Sequence, residues 1–185
     1  MRIISGSLRG RRIRSPRGNN IRPTSDKVRE AYFNILGQYF DGVSVLDLFC
    51  GTGAIGFEFL SRGAKRVFFV DTSISFAKKN ADLLNITDRC RFFNMSAEEF
   101  LKKRDKIIFD YIYVDPPYRY VIVNNILSRV DEELLSEKGI LTVEHSLKVQ
   151  YPDRVGRLYL FKQRRFGDTV LSFYSLDASN FEERL

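Results

Sequence analysis

Apolar residues after Thr24 recur at helical spacing. Val28, Ala31, Tyr32, Ile35, Leu36 and Tyr39 fall at i, i+3, i+4, i+7, i+8 and i+11, which predicts one helix with a sustained buried face. Thr24 is placed to cap it, and Asp26 suits the positive end of its dipole. Beyond Asp41-Gly42 the pattern alternates between two periods. Strand-like stretches at residues 44–49, 66–70, 91–94, 108–114 and 140–144 are separated by helix-like stretches at 54–61, 75–84, 97–103 and 123–135. Strands joined through helices imply right-handed crossovers and a mainly parallel sheet covered on both faces. Two late strands, at 158–163 and 170–175, have no helix between them and predict an antiparallel hairpin at one edge. Near the N-terminus, residues 2–5 and 11–14 read as short strands joined through a turn region at 6–10, with Pro16 and Gly18 ending the unit. The expected organisation is a hairpin arm over residues 1–22 and an α/β domain over 23–185.

Charge sharpens that division. The chain of 185 residues carries a formal +7, yet residues 1–22 hold seven Arg and no acid, and from residue 31 onward acids and bases cancel. A neutral body therefore carries a basic arm. A chain of this length buries roughly 70% of the surface its unfolded state exposes and needs no staple to fold. No apolar run approaches the roughly 18 residues of a membrane span. Cys50, Cys90 and the lone His145 cannot build a Cys/His zinc site of the usual four-ligand kind, so no metal is expected. A reducing, cytoplasmic setting fits this cysteine usage. The arm lacks the apolar stretch of a secretory signal, and its glycines and Pro16 argue against a transit-peptide helix.

The first chemical feature is Gly51-x-Gly53-x-x-Gly56, which follows a strand and precedes a helix, with Asp71 closing the next strand. Glycines there let a nucleoside-containing ligand approach the backbone. Turns between strands and helices also use glycine for purely structural ends. The carboxylate of Asp47, immediately before the loop, would repel a pyrophosphate seated over the helix N-terminus. A cofactor with a cationic end suits it better, and S-adenosylmethionine carries an ammonium and a sulfonium without a phosphate. In that reading Asp47 binds the ammonium directly or through water, Gly51 and Gly53 admit the ligand, and Asp71 accepts from the ribose hydroxyls. Asp71 is equally placed to cap the following helix. Ser96 sits where such folds contact the adenine, with an N-cap as the competing role.

The second feature is Asp115-Pro116-Pro117-Tyr118 at the carboxyl end of a strand, the edge at which open α/β sheets bind ligands. Two prolines fix φ and remove donors, leaving a rigid corner of acceptors. An exocyclic base amine is a poor nucleophile because its lone pair is delocalised into the ring. If the Asp115 carboxylate and the Pro116 carbonyl each accept one N–H, the lone pair is steered toward the methyl group, and Tyr118 offers a face on which the base stacks. A bare strand-ending turn is the structural alternative for this tetrapeptide.

The leader Arg2 to Gly6, the stretch Arg22-Pro23-Thr24-Ser25-Asp26-Lys27-Val28-Arg29-Glu30-Ala31, Asn34-Ile35-Leu36, the segment from Asp47 to Gly53, Asp115 to Tyr118, Val143-Glu144-His145 and Arg165-Phe166-Gly167-Asp168-Thr169 together resemble the RsmD-type family of small-subunit (16S) ribosomal RNA guanine-N2 methyltransferases. The resemblance spans essentially the whole chain. It implies a Rossmann-like class I methyltransferase fold with a seven-stranded sheet, methyl transfer from S-adenosylmethionine to a guanine 2-amino group, and ribosomal RNA or the assembling small ribosomal subunit as partner. A monomer is expected. Cys50 stands where the family often has a smaller residue. A DNA adenine-N6 methyltransferase needs the same amine acceptors and is the nearest alternative. A nicotinamide-dependent oxidoreductase is disfavoured by Asp47, and a binding protein without catalysis by the intact Asp115 to Tyr118.

Cys50 and Cys90 read as small apolar fillers, and His145 as a structural donor. Seven Arg in an acid-free arm exceed what solubility requires and suit RNA phosphates. The candidate contacts are Arg9, Arg11, Arg12, Arg14 and Arg22, extended by Arg165 on the late hairpin. A solvated face is the alternative.

Overall fold

The helical spacing after Asp26 is realised as α1, Asp26–Leu36. Its buried stripe, Val28, Arg29, Tyr32, Phe33 and Leu36, is rotated from the expected one and includes a guanidinium. Tyr39 is 91% exposed because the helix stops at Leu36 and Gly37 follows with φ 114°. The computed structural model describes residues 1–16, 26–102, 107–117 and 123–176. The Thr24 cap, Arg22 and Tyr118 lie outside them. The chain divides into two units, Met1–Ser96 and Ala97–Leu185.

In the first unit α1 is followed by β1 (Ser44–Leu48), α2 (Ala54–Ser61), β2 (Arg66–Asp71), α3 (Ser75–Leu84) and β3 (Cys90–Asn94). Strand β2 lies between β1 and β3, parallel to both, with Asp47 level with Phe69 and Asp71 level with Asn94. Every residue of α2 is buried. Tyr32, Phe33, Phe40 and Phe59 pack edge to face at centroid distances of 4.8 to 6.1 Å, and Phe57 and Phe92 lie against Phe69.

The arm forms a single antiparallel bridge, Arg2 to Arg12, where two short strands were expected. Around it Ile3 N–H donates to the Arg11 carbonyl (3.0 Å), Gly10 N–H to the Ile3 carbonyl (2.9 Å) and Ile13 N–H to the Met1 carbonyl (3.1 Å), and further backbone groups reach α2. Ile4 N–H donates to Glu58 Oε1 (2.6 Å), Ser7 N–H to the Ser61 carbonyl (2.7 Å) and Leu8 N–H to Ser61 Oγ (2.9 Å). Ile3 and Ile13 are buried. The arm is thus stitched along α2, which leaves that helix no solvent face.

The second unit contains α4 (Ala97–Lys102), β4 (Phe109–Val114), α5 (Val123–Glu133), β5 (Leu135–Ser146), β6 (Arg154–Val155), β7 (Leu158–Phe166) and β8 (Thr169–Ser175). Strand β5 runs parallel to β4 and antiparallel to β8, and β8, β7 and β6 continue antiparallel to the edge. The late hairpin is therefore present. With β6 the strands number eight among the described residues, one more than expected, because two residues show no periodicity. Among those residues no helix is long and apolar enough to cross a membrane.

Candidate functional site

Strand β1 is buried along its whole length, and its fourth residue is Asp47, 2% exposed. After Leu48 the chain turns sharply, with positive φ at Phe49 (60°), Gly51 (50°) and Gly53 (81°). Gly53 N–H donates to the Cys50 carbonyl at 2.7 Å, and Cys50 N–H to Val70 at 3.2 Å. The glycines divide their work. A Cβ on Gly56 would lie 2.3 Å from the Phe69 ring, so this residue permits α2 to settle on β2. A Cβ on Gly51 would meet nothing within 4 Å, so the backbone here borders open space.

Two carboxylates frame the loop. Asp47 Oδ2 accepts the Gly56 N–H at 3.1 Å. Burial pushes its carboxyl up to about 7, the Gly56 amide partly offsets this, and the neighbouring Asp71 charge adds to it. Asp71 Oδ2 accepts the Gly51 N–H at 2.9 Å, and Oδ1 accepts the Ser73 N–H at 2.8 Å. The helix cap weighed for Asp71 is not made: α3 starts after Ile74 with no side-chain cap, and Asp71 closes a local turn instead. Each Asp71 oxygen retains a lone pair for a further donor.

These residues fit S-adenosylmethionine. A buried carboxylate near neutrality is stabilised by a cation, Asp71 can accept hydroxyls, and the Gly51 backbone is accessible. Ser96 is half-buried, immediately before α4. Cys50 is buried, and its thiol is held well above its ordinary range by burial and by the charges of Asp47 and Asp71. Burial pushes the Cys90 thiol up to about 12. Neither is a poised thiolate nucleophile.

In the second unit Asp115 is half-buried directly after β4, Pro116 is buried and Pro117 exposed. The register of β4 with β5 pairs Val114 with Val143, which brings Asp115 level with Glu144. Tyr113 donates its hydroxyl to Glu144 Oε2 at 2.5 Å on the same sheet face. His145 is structural. Its Nδ1 lies 3.0 Å from the Ser146 carbonyl, which can only accept, so Nε2 accepts from Ser172 Oγ at 2.7 Å. Gln163 donates to the same hydroxyl at 2.8 Å, and burial pulls the His145 pKa down.

Of the candidate RNA contacts, Arg9, Arg12, Arg14 and Arg165 are exposed. Arg11 is half-buried, and its guanidinium donates to the carbonyls of Leu83 (2.5 Å) and Leu84 (2.7 Å), capping the C-terminus of α3. Sequence reasoning missed the polar core that holds α2. Glu58, fully buried in α2, faces Arg29 at 3.2 Å and Arg62 at 3.3 Å. It missed Asn80 as well. One signal was present: Glu58 is the only acid in an otherwise apolar stretch from Ala54 to Leu60, as an acid with a buried partner would be.

The family described as conserved hypothetical protein 95 matches residues 1–175. The YlbH protein of Bacillus subtilis is 38% identical over 180 residues, 94% of this chain and 98% of that protein. Ribosomal RNA small subunit methyltransferase D of Haemophilus influenzae is 36% identical over 150 residues, 78% of each chain. The solved structure of the Escherichia coli yhhF protein superposes with a TM-score of 0.81 at 28% identity, over 94% of this chain and 96% of that one. The fold is that of the class I methyltransferases, and the chain belongs to the RsmD-type methyltransferase family.

Proposed function

We propose that this protein transfers a methyl group from S-adenosylmethionine to the 2-amino group of a guanine in 16S ribosomal RNA. The observation that carries this reading is the acceptor corner Asp115-Pro116 closing β4 in a chain of this family. The names of relatives that match most of the chain, ribosomal RNA small subunit methyltransferase D among them, support the RNA substrate.

When bound, S-adenosylmethionine supplies an electrophilic methyl on a sulfonium. Asp47 gives its cationic end a carboxylate that burial has left without a strong counter-charge. Asp71 holds the Gly51 amide and offers its remaining lone pairs to hydroxyls. Asp115 and the Pro116 carbonyl accept the two amine hydrogens, so positive charge developing on the nitrogen meets acceptors already in position and needs little reorganisation. Tyr118 stacks on the base. The exposed Arg9, Arg12, Arg14 and Arg165, with Arg22, hold phosphates.

Labelled-methyl incorporation tests this reading on three substrates: unmethylated 16S RNA, small ribosomal subunits lacking the modification, and DNA. Label in RNA recovered as N2-methylguanosine is the expected result. Label confined to DNA, as an adenine-N6 enzyme would give, overturns it. Asp115→Ala should abolish turnover and leave binding of S-adenosylhomocysteine within about threefold, since the interaction it removes is made with the amine.

A further inference from the structure

We propose that Asn80 is a positioning residue that ties the basic arm to the cofactor loop, so that RNA on the arm and cofactor at the loop strengthen each other's binding. The inference rests on the function proposed above. Asn80 lies on α3, is fully buried, and spends its amide on two segments. Its Oδ1 accepts the Arg14 N–H at 2.7 Å, and its Nδ2 donates to the Arg14 carbonyl at 2.9 Å and to the Thr52 carbonyl at 3.0 Å. The first two bonds pair with one arm residue as a neighbouring strand would. The third reaches the residue between Gly51 and Gly53.

The side-chain chemistry is restrictive. Asp would keep the acceptor and lose both donors, and Leu would keep the volume and lose all three bonds. Thr52 is 8% exposed, so its carbonyl has little access to water as a replacement partner. The Gly51 amide is fixed by Asp71, the Gly56 amide by Asp47, and the loop between them by Asn80. On the arm, the same Arg14 whose backbone is gripped sends its side chain to solvent, next to exposed Arg12. Arg11 adds a second tether one turn further along α3, on Leu83 and Leu84. Arm and helix therefore shift as one body, and the Asn80 amide passes that shift to Thr52. Linkage then requires reciprocity: whatever RNA does to cofactor affinity, cofactor does to RNA affinity by the same factor.

The test uses the full chain, S-adenosylhomocysteine as ligand and an unmethylated 16S RNA transcript as effector. In the wild-type protein, S-adenosylhomocysteine should slow hydrogen exchange at the Arg14 amide, and RNA should tighten S-adenosylhomocysteine binding about fivefold by calorimetry. In Asn80→Ala the ligand should bind about tenfold more weakly, and the RNA-dependent factor should fall to one. Asn80→Asp should behave in the same way. If the wild-type protein binds S-adenosylhomocysteine while Arg14 exchange and the RNA factor stay unchanged, the coupling is refuted by the wild-type protein alone. A folded Asn80→Ala protein that keeps both affinity and coupling refutes it as well. Failure of the wild-type protein to bind S-adenosylhomocysteine at all would instead overturn the functional reading, and this inference with it.

Discussion

Replacing Asp47 by Asn should stabilise the protein at pH 8 and weaken its hold on the cofactor. Burial, then the Asp71 charge, pushes the carboxyl from an ordinary 3.8 up to about 7, against the opposing pull of the Gly56 amide. A group that holds its proton more tightly when folded contributes stability that is complete below pH 3.8, declines as pH rises through 7, and is flat above. At about 1.4 kcal/mol per tenfold change in proton affinity, ionising Asp47 in the folded protein costs roughly 4 kcal/mol by pH 8. Asn has the same shape, still accepts from Gly56, and carries no charge to bury. Urea unfolding of both proteins should therefore show the variant gaining on the wild type between pH 4 and 8, by up to roughly 4 kcal/mol. The difference between the two proteins isolates Asp47 from Glu58 and His145, whose own shifts are common to both. A gap that is the same at pH 5 and pH 8 would refute the reasoning. A cation beside the carboxylate has the opposite effect on its proton. S-adenosylmethionine binding near pH 7 should release protons from the wild-type protein and not from Asp47→Asn, which calorimetry in buffers of different ionisation enthalpy detects.

Glu58→Ala leaves Arg62 buried without its carboxylate and Arg29 with only the exposed carboxylate of Asp26, and should cost about 3–5 kcal/mol in chemical unfolding. Gly56→Ala places a Cβ against the Phe69 ring, 2.3 Å away, and should cost about 1–3 kcal/mol unless α2 moves off β2. Arg9→Ala with Arg12→Ala should lower the salt slope of RNA binding by about one and a half units, each Arg accounting for about 0.7–0.9. Arg11→Ala should act mainly on thermal stability, because its guanidinium caps α3.

The boundaries of α2 and α3 were legible because local chemistry sets them: Gly53 and Gly63 bracket one, and Asn85 closes the other in the left-handed region. Asp47 stands beside the glycine loop in sequence and meets Gly56 nine residues on, whereas Asp71 meets Gly51 across 20 residues, a pairing set by the parallel register of β1 and β2. Strand β5 begins at Leu135, five residues earlier than its apolar run suggests, because Leu135 pairs with Phe109 on β4 and the ladder resumes only at Ile140 with Tyr111, across a register shift that passes over residues 136–139. The polar core was not legible. Glu58 meets Ile4 54 residues away and Arg29 at a separation of 29, and Asn80 reaches Arg14 across 66 residues. No periodicity records such pairings. The role of Arg11 was hidden for the same reason, since an arginine that caps a distant helix has the same local sequence as one that faces phosphate.

The stitching of the arm also has a temporal side. During synthesis residues 1–16 precede their partners Glu58, Ser61, Asn80 and Leu84 by some fifty to seventy positions. At about 5–20 residues per second that interval lasts several seconds. A segment rich in unpaired arginine is therefore presented while the rest of its unit is still being made, and docking it is a late, long-range closure. Any anionic surface near the nascent chain competes with Glu58 and Asn80 for the arm during that interval.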